Sequence, residues 1–180
     1  MEIKISTQQI LKILHVVSWI LFIGVSIEAG SFIFNAIFTL VLNPNNANYF
    51  DLASLYQYDP GYFLVQLLLM SLVSVMRAII FYLILKLLHD KKLDMTQPFN
   101  NELGRFLFNI AYLAFGIGMF SFWGVKFTNW FVSLGVKMPD IMHLRLAGAD
   151  VWLFMGVIIY IIALIFKRGI EIQSENDLTI

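Results

Sequence analysis

The chain has 180 residues, of which 59% are hydrophobic and 13% charged, and its 12 lysines and arginines balance its 12 aspartates and glutamates. With a mean hydropathy of +0.79, it falls outside the range of ordinary soluble domains. Zero net charge with no basic block leaves direct nucleic-acid binding without an electrostatic footing, and the absence of cysteine excludes disulfides, thiolate metal sites, thioether haem attachment and cysteine nucleophiles.

The N-terminus, Met1-Glu2-Ile3-Lys4, runs straight into a long apolar stretch. It lacks the short apolar core and small-residue cleavage site of a secretory signal, so it is expected to be retained. Apolar runs follow at 10–42, 61–88, 106–131 and 146–166, each about the 20 residues needed to cross the hydrocarbon core, or longer. Backbone groups in lipid must be satisfied internally, and the roughly ten-residue alternation of barrel strands is absent. The expected fold is therefore all-α: a polytopic membrane protein with four transmembrane helices in a bundle, one domain over 1–180, and a short tail at 167–180.

The loop at 43–60 carries Asp51 and Asp59, no basic residue, and Tyr49, Tyr56, Tyr58 and Tyr62 at or beside it, which suits an aromatic belt at the membrane–water boundary. Between the second and third runs, His89-Asp90-Lys91-Lys92 leads to Gln97-Pro98-Phe99. Proline restricts its neighbour, so an extended turn is expected there, with Asn100 or Asn101 capping the next helix. In the loop at 135–145, Pro139 and Asp140 precede Ile141, Met142 and Leu144, a pattern for a short interfacial helix. Small residues four apart, Ser26/Gly30, Ser74/Ala78 and Ala114/Gly118, are read as helix-packing positions.

Basic residues set the orientation. If the helices alternate, Lys4, Lys12, Lys86, Lys91, Lys92, Arg105, Lys167 and Arg168 share one side, and Lys126, Lys137 and Arg145 the other. The excess marks the cytoplasmic side, so both termini are expected there.

Charged residues within or beside the apolar runs are costly in lipid and therefore informative: Glu28, Arg77, Lys126 and Asp150. At a rise of 1.5 Å per residue, Glu28 lies roughly 24 Å beyond Lys12 and Asp150 about 26 Å before Lys167. Both acids then sit in the outer third, with Lys126, His143 and Arg145 near enough to neutralise them. Arg77 lies deeper, with Glu28 as its best charged partner. This polar cluster reads either as a site for an ion, proton or small polar ligand, or as separate structural features, Asp150 capping its helix and Lys126 reaching to the interface. No Glu-x-x-His or His-x-x-x-His pair sets two ligands on one helical face, so no metal is expected. Nucleophile-elbow, Ser-x-x-Lys, phosphate-loop and zincin motifs are all missing, so no catalytic residue is assigned and an enzyme is not the favoured reading. His15 and His89, on opposite flanks of the inner leaflet, could in principle bind haem; with no second deep histidine pair, no cofactor is expected.

The C-terminal run Ala149-Asp150-Val151-Trp152-Leu153-Phe154, continuing to Phe166-Lys167-Arg168-Gly169-Ile170-Glu171-Ile172-Gln173-Ser174-Glu175-Asn176-Asp177-Leu178-Thr179-Ile180, resembles the end of the bacterial family called domain of unknown function 2975. Gln97-Pro98-Phe99-Asn100-Asn101-Glu102 is similar to a second landmark of that family. The resemblance implies a multi-pass protein of the bacterial inner membrane. It also implies a regulatory partnership with a small cytoplasmic helix-turn-helix protein, since family members are often encoded beside one. On that reading Pro98, Phe99, Lys167, Arg168, Glu171, Glu175 and Asp177 would dock the partner, a basic collar preceding an acidic, apolar-tipped peptide. The alternative is a small transporter or ligand-binding bundle that uses the outer polar cluster.

Overall fold

The computed structural model describes residues 7–89 and 99–177. In chain order it comprises α1 (Thr7–Val41), a 3₁₀ helix (Pro44–Phe50), α2 (Ala53–Tyr58), α3 (Pro60–His89), α4 (Asn101–Ser133) and α5 (Ala149–Asp177). No strand occurs among the described residues, so the chain is all-α. Pro98 lies outside the described residues.

Four stretches, Gln9–Val41, Pro60–His89, Asn101–Ser133 and Ala149–Glu175, are long and apolar enough to cross a membrane. The helices run past the apolar stretches that mark them. Helix α4 begins at Asn101, ahead of the apolar run at 106, and α5 continues through Lys167 and Arg168 to Asp177. Hydropathy marks the part of a helix that lipid covers, whereas backbone hydrogen bonding carries the helix on into water.

Local chemistry sets the helix starts. The Asp59 carboxylate accepts the Gly61 and Tyr62 N–H groups at 2.6 and 3.1 Å, while Pro60 supplies a pre-set φ at the first helical position. Of the two asparagines expected as caps, Asn100 takes the role: its side-chain oxygen accepts the Leu103 N–H at 2.8 Å.

Helix α1 packs on α3, α3 on α4 and α4 on α5. Glycine makes the last contact close. A Cβ on Gly118 would lie 2.6 Å from Leu153 Cγ and 3.1 Å from the Ala149 carbonyl, while one on Gly124 would lie 2.6 Å from Leu146, in the connection that leads into α5. Small residues let backbones approach where lipid supplies no hydrophobic drive for helices to associate. Ala114 and Gly118 thus serve the packing role expected of them, and Ser74 is buried. Gly30 does not: nothing lies within 4 Å of where its Cβ would stand, because α1 turns that face away from α3.

We call the end holding the 42–59 and 134–148 connections the loop end, and the opposite one the terminal end. Buried side chains concentrate toward the loop end, where Leu52, Leu55, Leu144 and Leu146 from the connections close over Phe32, Phe63 and Phe131 from the helices. At this end, where water meets the bundle, each such leucine contributes about 1.5–3 kcal/mol by burial. Tyr56, Tyr58 and Tyr62 pack edge-on or tilted against Phe63 and Phe131.

Candidate functional site

Three chain reversals at the loop end share one backbone geometry, centred on Asp51, Gly135 and Arg145. Each is left-handed, with φ of 55°, 81° and 58°. The following N–H reaches the carbonyl five residues back: Leu52 to Ala47 at 3.0 Å, Val136 to Phe131 at 3.0 Å and Leu146 to Ile141 at 3.2 Å. The central N–H reaches three back, to Asn48, Val132 and Met142 respectively. These are Schellman closures, in which glycine is the favoured central residue. A side chain there costs about 1–2 kcal/mol.

Two of the three nevertheless carry a charged side chain, and each meets a partner: Arg145 is one half of an ion pair, and Asp51 stands beside a histidine. Arg145 Nε lies 3.1 Å from Glu28 Oε2, and Asp51 Oδ2 lies 3.6 Å from His143 Nε2. Complete burial of Leu52 and Leu146, the residues after the strained ones, holds both closures in place. The segment expected as a short interfacial helix is a single turn instead. Asp140 accepts the Met142 N–H at 2.7 Å to open it, and Arg145 ends it before a second turn forms.

Glu28 is the centre of the cluster. Its Oε1 accepts the Ser74 hydroxyl at 3.3 Å, and its backbone carbonyl accepts the Ser31 hydroxyl at 2.7 Å. Arg77 experiences the charges of both Glu28 and Arg145. Its guanidinium carbon stands 5.7 Å from the Trp152 ring centroid, linking α3 to α5, and its Nε is buried without a hydrogen-bond partner. Arg145, which arrives from a loop, is the residue that ion-pairs with Glu28, and Arg77 acts on it through space.

Lys126 and Asp150 stand apart from this cluster. The Lys126 ammonium is exposed and lies 5.5 Å from the Phe122 ring centroid. Asp150 is exposed in the first turn of α5, where a negative charge favours the helix dipole. Neither makes an ion pair among the described residues. His143 does join, through Asp51.

Two adjoining cavities open over these groups. One, of about 450 Å³, is lined by Glu28, Ser31, Asp140, His143 and Arg145 with Phe32 and Phe50. The other, of about 520 Å³, shares Asp140 and His143 and adds Asp51, Ser54 and Lys137. The arrangement offers a carboxylate and a guanidinium side by side at the base of an open vestibule. No group of three or more histidine or acidic side chains among the described residues is placed to hold a metal ion.

Hydropathy alone passed over several polar groups beneath this site. Asn35 donates to the Asn46 carbonyl at 3.2 Å and accepts from Thr39 at 3.4 Å, pinning the 3₁₀ segment to α1. Gln66 is fully buried, and neither atom of its amide has a partner. A lone amide early in the second apolar run was the available signal for Gln66; nothing local marks which way Asn35 faces.

At the terminal end, the Phe99 and Phe166 rings lie 5.2 Å apart, and a Cβ on Gly169 would meet Phe99 at 2.6 Å. Lys167 and Arg168 are exposed, and Arg168 pairs with Glu171 at 2.9 Å. Ile170 rests against Gly104. The side chain of Asp177 lies outside the described residues. His15 and His89, distant in sequence, come together with ring centroids 6.2 Å apart.

The model of the family described as protein of unknown function (DUF2975) matches residues 47–180. No curated protein and no solved structure matches the chain.

Proposed function

Because the chain belongs to the family of proteins of unknown function DUF2975, membership carries no activity with it, and we propose from its own residues that it is a membrane-embedded binding protein for a small charged solute. The solute enters the vestibule at the loop end and is recognised by Glu28 and Arg145. The observation that carries this reading is Arg145 itself: an arginine holds a strained position that glycine fills more easily, and it points its guanidinium at a carboxylate beneath an open cavity. Strain retained beside a cavity is what a recognition residue requires. The helices run unbroken across their apolar lengths, without the interrupted spans of transporters, which favours binding over transport.

The test uses the full chain in lipid nanodiscs, melted with glycine, glutamate, succinate or inorganic phosphate. A ligand at 100 times its Kd stabilises by about 2.7 kcal/mol. We expect at least one of these probes to raise the midpoint of the native protein and to leave Glu28→Gln and Arg145→Gln unmoved. Equal responses in native and variant proteins, or none from any probe, would remove the reading.

A second reading concerns the terminal end, which the basic-residue asymmetry favours as the cytoplasmic side. There the protein acts as the membrane partner of a small helix-turn-helix regulator, docking it through Pro98, Phe99, Lys167, Arg168, Glu171, Glu175 and Asp177. It is supported by the packing of Phe99 on Phe166 and Gly169, which joins the two stretches into one surface. Deletion of 175–180 should then leave the protein inserted and alter transcription of the regulator's targets. An unchanged transcript profile would reject it.

A further inference from the structure

A second cleft lies far from the vestibule, between α1 and α3 at the terminal end, and has a volume of about 420 Å³. We propose that it holds the head and upper acyl chain of one anionic phospholipid. The argument begins with two helix faces. On α1, His15, Trp19 and Phe22 recur at helical spacing; on α3, Tyr82, Lys86 and His89 do the same. The helices are antiparallel, so His15 meets His89 at 6.2 Å between centroids, and Phe22 meets Tyr82 at 6.4 Å. Basic and donor groups therefore cluster toward the terminal end, and aromatic rings line the cleft from there to about 10 Å deeper, seven residues along α1.

Charge selects the occupant. Among the described residues, no carboxylate lines this cleft. Lys86 and His89 have no ion-pair or hydrogen-bond partner among the described residues. Trp19 Nε1 donates to His15 Nε2 at 3.0 Å, and because an indole N–H only donates, neutral His15 is left with Nδ1–H as its donor. A cation and imidazole donors thus stand unanswered above a wall of rings, on helices whose outward surfaces are apolar: Ile20, Ile23 and Ile79 are all exposed. A phosphate head at the boundary with its chain along the rings satisfies both halves, and a zwitterionic head, carrying its own cation, answers the lysine less well.

The experiment adds phosphatidylglycerol or phosphatidylcholine to the purified full chain in detergent and counts retained lipid by native mass spectrometry. We expect one phosphatidylglycerol to be held in preference to phosphatidylcholine. Lys86→Gln should reduce that preference about fivefold, the weight of one basic residue at an anionic surface, and His15→Ala should reduce it also. Lys126→Gln, a cation at a different site, should leave it intact. A measurement on the native protein guards against misfolded variants: phosphatidylglycerol brominated on its acyl chain should quench tryptophan emission more than brominated phosphatidylcholine, and Trp19→Phe should erase the difference. Equal retention of the two lipids, or equal effects of Lys86→Gln and Lys126→Gln, would overturn the proposal. So would inorganic phosphate displacing the lipid at millimolar concentration without regard to its chain, which would make this a phosphate site rather than a lipid one.

Discussion

Replacing Arg145 separates what this residue does for the fold from what it does for the vestibule. Its left-handed backbone, φ 58°, costs an L side chain about 1–2 kcal/mol, which Arg145→Gly removes. Against that, the Glu28 pair is partly exposed, 58% on the arginine and 26% on the glutamate, and pairs so wetted contribute about 0.2–1 kcal/mol. Glycine also enlarges the unfolded ensemble, by about 0.4–1 kcal/mol. These opposing contributions nearly cancel, so Arg145→Gly should lie within about 1 kcal/mol of the native protein. Arg145→Ala keeps the strain and loses the pair, so it should be the least stable of the three. At about 2–4 °C per kcal/mol for a chain of this size, thermal melts in nanodiscs resolve the order. An Arg145→Gly protein that melts as low as the alanine variant, well below native, would show that the guanidinium is a structural strut. The argument that its strain is maintained for recognition would then fail.

Glu28→Ala removes the carboxylate that offsets the like charges of Arg77 and Arg145 and deprives Ser74 of its acceptor, so it should cost about 1–3 kcal/mol; Glu171→Ala, at a solvent-exposed pair, serves as the control in the same melt. Gly118→Ala should destabilise by about 1–3 kcal/mol because its Cβ meets Leu153 and a backbone carbonyl, whereas Gly30→Ala, with open space around it, should be neutral or gain up to about 1 kcal/mol of helix stability. A Gly118→Ala protein that melts like Gly30→Ala would contradict the close α4–α5 packing. The chain has no cysteine, so single cysteines at Asn46 and Glu175 report topology cleanly: an impermeant thiol reagent on intact cells should label the first and spare the second, and the reverse pattern would invert the proposed orientation.

What the linear sequence determined about this protein is what depends on length and hydropathy. Four apolar runs of sufficient length had to become helices because hydrocarbon offers no other partner for the backbone. Asn100 was legible as a cap because capping is a contact within four residues. Glu28 was legible as a residue in need of a partner, because a carboxylate among apolar neighbours requires one. The identity of that partner was decided only in three dimensions. Lys126 and Arg145 stood near the right depth and Arg77 somewhat deeper, and depth along a helix axis says nothing of rotation about it. The Gly118 contacts with Leu153 and Ala149 set how α4 faces α5, and Lys126 projects over Phe122 rather than inward. The Schellman closure at Arg145 turns a loop residue onto Glu28. The same holds for His15 and His89: the sequence put both at the inner level of separate spans, and only antiparallel register between α1 and α3 brings the rings together. Local rules fix which segments are helical; which side chains meet depends on rotation and register, and those come from packing between helices distant in the chain.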